Sequence, residues 1–151
     1  MIAMPPGLFV CDITVSFQLT VLPDLSPPGA SIRMAVLLPV DSIGLLNAEG
    51  TDGTRLGADC GSRISFNDVG QAFPGSHPRD GSTSYADVFR PQDIFGFGDI
   101  FGVDTASVSG EWILTAFGGG VSPNMSADLA CWRLTIRTST TPVPLQLRQK
   151  G

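Results

Sequence analysis

One histidine, three cysteines and fourteen acidic side chains are what the sequence offers for chemistry, and their spacing argues against most of it. A hydrolase needs a nucleophile with a base within hydrogen-bond reach. His77 stands between Ser76 and Pro78 in a stretch, residues 70–84, that has no apolar periodicity; pairing with Ser76 or Cys60 is only formal, and it reads as a loop histidine. Cys11, Cys60 and Cys131 are isolated, which allows at most one internal disulfide and supplies no Cys-x-x-Cys pair for a metal. The loop aspartates fall into two groups, Asp52, Asp59 and Asp68, then Asp93, Asp99 and Asp104. Two carboxylates facing across a cleft would hydrolyse a glycoside, and the same oxygens could hold Ca²⁺. Turn-rich spacing builds no cleft and no EF-hand pattern is present. No catalytic residue and no cofactor are therefore expected, structural calcium being the one ion with ligands to hand. Gly118-Gly119-Gly120 could cradle a phosphate only ahead of a helix. Val121-Ser122-Pro123-Asn124 follows instead, and the run reads as a corner after a strand.

Composition narrows the partners. The nine basic residues include a single lysine, Lys150, so no basic stripe could neutralise a run of phosphates and nucleic acid is not expected. Charge is uneven along the chain. Arg133, Arg137, Arg148 and Lys150 follow residue 130 with no acidic residue among them, whereas residues 38–128 hold twelve acidic side chains against Arg55, Arg63, Arg79 and Arg90. Such asymmetry can orient neighbouring copies. The N-terminus, MIAMPPGLFV, lacks a basic leader region and has Pro5-Pro6 where an apolar run would be needed. No stretch is long enough for a membrane helix. The expectation is a soluble chain of cytoplasmic synthesis with no membrane partner.

The elements that would position these residues are strands. Gly and Pro are abundant, and Val, Ile and Thr recur in short runs. From Phe9 to Val21 the alternation puts Phe9, Cys11, Ile13, Val15, Phe17, Leu19 and Val21 on one face, a period of two. Pro23 and Ser26-Pro27-Pro28-Gly29 interrupt it, and Ile32, Met34, Val36 and Leu38 mark a second strand ending at Pro39. Asn47 to Ser62 reads as turns around short edge strands, followed by Arg63 to Phe66. Phe95, Phe97 and Phe101, set among glycines, could fill a core edge or form an apolar surface. Two late strands follow. Trp112, Leu114 and Ala116 share one face of the first, and Trp132, Leu134 and Ile136 point inward from the second while Arg133, Thr135 and Arg137 point out. No segment keeps helical spacing over three turns. The pattern predicts an all-β sandwich of two antiparallel sheets.

The order of motifs resembles the P domain, or Homo B domain, of subtilisin-like proprotein convertases. The matching pieces are Ile13 to Val21, Ile32 to Leu46, Ile64-Ser65-Phe66-Asn67-Asp68, the Gly-x-Trp-x-Leu run Gly110 to Leu114, and Leu129 to Leu134 with its Trp132. The chain departs from that pattern at Gly118, where an aspartate is common, at Ala127-Asp128, where a glycine often stands, and at Leu38-Pro39-Val40-Asp41, which replaces Pro-x-Gly-Thr. The resemblance implies a jelly-roll-like β-sandwich without catalytic residues, whose relatives stabilise an attached protease. Phe66, Asp68, Gly110, Trp112, Leu114, Trp132 and Leu134 would then be structural positions.

These readings divide the chain into an N-terminal arm (1–8), a sandwich (9–137) and an extended tail (138–151). A free tail of that composition should be disordered, whereas in an assembly it is expected to pack into neighbours. The functional expectation is a non-catalytic module forming a homo-oligomer or part of a larger assembly, most plausibly on a virion surface as a decoration protein. The alternative is a protein- or carbohydrate-binding module, such as a stabilising partner of a secreted protease.

Overall fold

The long alternation at the start of the chain forms strand β1, Phe9–Val21, and β1 is the spine of the fold. The structure, a computed structural model, describes residues 2–4, 6–21, 31–39, 41–49, 55–73, 85–93, 96–119 and 127–140. Strand β8, Ala127–Ser139, pairs antiparallel with β1 along its whole length. Phe17 lies opposite both Trp132 of β8 and Ile64 of β5 (Ile64–Gln71), so β1 runs between those two strands. The two-residue β4, Arg55–Leu56, continues the β5 side, and β6, Val88–Phe89, adds beyond β5 as the one parallel pair among the described residues. The second sheet has three strands in the order β3 (Ser42–Glu49), β2 (Ser31–Leu37), β7 (Ile113–Gly119). The architecture is the all-β sandwich the periodicities predict.

The core between the sheets is apolar because inward positions recur at every second residue. Ile13, Val15 and Phe17 from one sheet meet Met34, Val36 and Leu45 from the other. The Phe17 and Phe66 rings stack at 5.9 Å, and Phe66, Phe73, Tyr85 and Phe89 extend that contact toward the β5–β6 end. Of the glycine-flanked phenylalanines, Phe97 is fully buried, Phe101 packs against the core, and Phe95 lies outside the described residues.

Two bulges shift the expected faces. The β1–β8 ladder skips Cys11 between Val10 and Asp12. That extra residue reverses the alternation, so Val10 is buried while Phe9 and Cys11, predicted to face inward, are half-buried. In the second sheet Met34 pairs with Leu46 and Ala35 with Gly44, leaving Leu45 as the extra residue. Ile43, Leu45 and Leu46 are all buried, and their broken alternation explains why β3 has no clean period in the sequence.

The glycine corner is also corrected. Gly118 and Gly119 continue β7 opposite Ile32 and Ser31, because their backbone groups pair in the ladder; Gly120 lies outside the described residues. Strand β7 begins at Ile113, one residue after Trp112, which is buried and donates its indole N–H to the Val108 carbonyl at 2.9 Å. Gly110, at φ +135°, exchanges two backbone bonds of 2.7 Å with Ile2, so residues of the N-terminal arm are fastened to the body. At the other end β8 runs two residues past the predicted limit of the sandwich at 137. The rest of the tail, 141–151, lies outside the described residues.

Candidate functional site

Two places could carry function, a cavity beside Asp68 and the margin of the wider sheet at β8. Asp68 is on β5, immediately after Asn67, whose side-chain amide donates to the Thr14 hydroxyl at 2.8 Å and to Asp12 at 3.1 Å. Asp68 Oδ1 accepts the Phe97 N–H at 2.8 Å, while Oδ2 is buried with no hydrogen-bond partner. Burial pushes the Asp68 carboxyl above the ordinary carboxylate range and the nearby Asp12 charge adds to the rise, while the Phe97 and Gly98 backbone amides pull the other way. Gly96 permits this approach. It has φ +56°, and a Cβ there would collide with Asp68 Oδ1. Asp68 therefore accepts a backbone N–H from a residue far along the chain, bracing the short 3₁₀ turn Gly98–Ile100 against β5.

A cavity of about 290 Å³ opens next to this brace, lined by Asp68, Phe73, Arg90, Pro91, Gln92 and Asp93 among others. Asp68 and Asp93 thus come together from the two predicted groups. The pair is a poor acid–base couple, because one Asp68 oxygen is committed to a backbone amide and the other is buried. The Gln92 and Asp93 backbone N–H groups donate to the Leu45 and Gly44 carbonyls at 2.9 and 3.1 Å, which ties this wall of the cavity to β3. The remaining described aspartates are spread out. Asp59 accepts from Gly61 and Ser62, and Asp104 caps the helical turn Thr105–Val108 through Ala106, while Asp99 is exposed. Among the described residues no three of His, Cys, Asp and Glu are grouped to hold a metal. Asp52, Ser76 and His77 lie outside the described residues. Cys60 is joined to Cys131 in a disulfide and has no thiol to act as a nucleophile.

The β8 margin presents a different chemistry. Leu129, Trp132, Leu134 and Ile136 lie opposite Leu19, Phe17, Val15 and Ile13, so all four face inward by register. Inward is not covered, however. Leu129 is 42% exposed and Trp132 37%, while Leu134 and Ile136 are half-buried at the edge of the core. The predicted direction of Trp132 is right and its expected burial is not, because a three-stranded sheet does not cover the whole width of the other. Among the described residues no strand pairs with the second edge of β8. On the outer face Cys131 sits opposite Gln18, and its bond to Cys60 in the β4–β5 connection straps the edge strand across β1. Arg63 Nε donates to Cys131 Sγ at 3.5 Å over the same strap.

Trp112 and Phe66 are buried in the core, Gly110 has a positive φ, and Leu114 is half-buried against the core. The cavity wall at Phe73 and Arg90 and the free edge of β8 were not readable from spacing, since both are products of strand order. No family model, no curated protein and no solved structure matches this chain.

Proposed function

We propose that this chain is a non-catalytic structural module that assembles, with copies of itself or on a larger particle, through the margin of its wider sheet. The observation that carries the reading is β8, a thirteen-residue edge strand with Leu129 and Trp132 exposed on its inner face. Long edges with unpaired backbone groups template pairing with another chain unless something blocks them. Here the apolar side chains lie along an edge that pairs with no further strand among the described residues, and an exposed apolar patch beside such an edge is a protein-binding feature. The Cys60–Cys131 bond supports a setting outside the reducing cytosol. A virion surface, with this sandwich as a decoration subunit, is the particle we favour.

The test is the mass of the full chain by light scattering over a range of concentrations, with Trp132→Lys alongside. A discrete multimer that the substitution dissolves supports the reading, and a monomer at every concentration sinks assembly of the chain with copies of itself.

A second reading, small-ligand binding, has its own support in the cavity, whose lining includes Phe73 and Pro91 together with Arg90, Gln92 and Asp93. An apolar wall with a few convergent polar groups suits a sugar. Saturable shifts in the backbone amide signals of 90–93 on adding a panel of monosaccharides would favour it. The P-domain-like motif order supports a related variant, docking on a protease partner.

A further inference from the structure

We infer that the Cys60–Cys131 disulfide is an exchangeable bond, attacked at Cys60 by a small thiol from solution and opened by departure of Cys131 as a thiolate beside Arg63. The two cysteines sit in unlike surroundings. Cys60 is exposed in the turn between β4 and β5, where Ala58 donates its N–H to the Ser62 carbonyl at 2.8 Å and the Asp59 carboxylate accepts the Gly61 and Ser62 N–H groups. Cys131 is half-buried within the ladder of β8, opposite Gln18. An incoming thiol therefore meets Cys60 first, and access is one of the factors that select the sulfur attacked.

Charge points the same way. Arg63 Nε donates to Cys131 Sγ at 3.5 Å, and Arg133, two residues along β8, lies on the same outer face. Arg63 is half-buried, and among the described residues it forms no ion pair that would draw its charge elsewhere. Cys60 instead follows an acid, Asp59, while Arg55 on that side is turned to the Ala58 carbonyl at 3.1 Å. A thiolate is stabilised by a nearby cation, and exchange is faster when the departing sulfur carries its charge more readily.

The step balances. A thiolate attacks Cys60 Sγ and a new sulfur–sulfur bond joins the two; the Cys60–Cys131 bond breaks, and its electron pair stays on Cys131. A second thiolate then attacks the mixed disulfide, which leaves Cys60 reduced and the two small thiols joined as the oxidised product. No other sulfur of the chain can take their place. Cys11, the remaining cysteine, stands in β1 seven residues before Gln18, about 23 Å away along an extended strand. The result is a strap that holds in an oxidising setting and opens where small thiols are abundant, leaving β8 its backbone ladder to β1.

The experiment uses the full chain and 2-mercaptoethanol, an uncharged thiol, so that the charge of the reagent does not choose the sulfur. Cys11 is first capped with iodoacetamide. After brief exposure to the thiol, newly released sulfurs are capped with an isotopically labelled form, and both adducts are located by peptide mass spectrometry. The expected product carries mercaptoethanol on Cys60 and the labelled cap on Cys131. The reverse assignment, an even mixture, or a bond that opens only after urea has unfolded the chain would overturn the inference. Arg63→Gln should slow the release about threefold or more, and Arg63→Lys should recover most of the wild-type rate, with circular dichroism unchanged in both. Equal rates in the wild type and Arg63→Gln would overturn the part given to Arg63. Should Arg63→Gln fail to fold, the position of the adduct in the wild type still decides which sulfur is attacked.

Discussion

At Asp68 burial and hydrogen bonding act in opposite senses, and burial is the larger. A carboxyl whose folded-state pKa lies above its unfolded value holds its proton more tightly when folded. Its contribution to stability is complete below the unfolded pKa and is lost as pH rises through the folded one. Asp68→Asn keeps an acceptor for Phe97 but cannot ionise, so the stability of the wild type relative to this variant should fall as pH rises above the ordinary carboxylate range of about 4. Urea melts at several pH values read this directly, and a constant difference would mean that Asp68 titrates normally. Glycine provides a second contrast at the same scale. A Cβ on Gly70 would collide with the Phe89 backbone, whereas one on Gly44 would meet nothing within 4 Å. Gly70→Ala should cost about 1–3 kcal/mol by forcing β6 away from β5. Gly44→Ala should be neutral within about 0.5 kcal/mol, and equal denaturation midpoints for the two variants would show that β6 yields freely.

Among the elements, β8 depends most on a covalent tie. The Cys60–Cys131 bond closes a sequence separation of 71 residues, and in the chain-entropy account a loop of that size contributes about 4 kcal/mol. Reduction should lower the urea midpoint accordingly and accelerate amide exchange in β8 more than in β2 or β3; uniform acceleration would show that the strap restrains the whole sandwich. This tie also marks how far sequence reading reaches. Strands β1, β2, β7 and β8 were legible because their apolar residues recur at period two, and an odd cysteine count already limited the chain to one bond. Which two cysteines pair is decided by Cys131 lying on the outer face opposite Gln18, a consequence of register. Bulges hide in the same way: one extra residue at Cys11 reverses a face, and one at Leu45 erases the period of β3. The Asp68 brace was not legible, since no local spacing brings the Phe97 amide, 29 residues on, to its carboxylate.

For the whole molecule, the proposed assembly would couple folding to association. The apolar margin exposed at Leu129 and Trp132 in the single chain would be covered in such an assembly, and whatever binds the folded state alone raises its stability by mass action. Each tenfold rise in concentration adds about 1.4 kcal/mol per association event. Shared between two chains of this size, that should raise Tm by about 1–3 °C. The net charge of −5 opposes the approach of like copies, but at ordinary ionic strength it is screened beyond about 8 Å, so contact at the margin governs the equilibrium. Calorimetric scans of the wild type over a hundredfold concentration range should therefore show a rising Tm, while Trp132→Lys shows a constant one. Parallel rises in both would place the stabilising contact elsewhere on the surface. A constant Tm in both would show that the β8 margin makes no contact between copies that stabilises the fold.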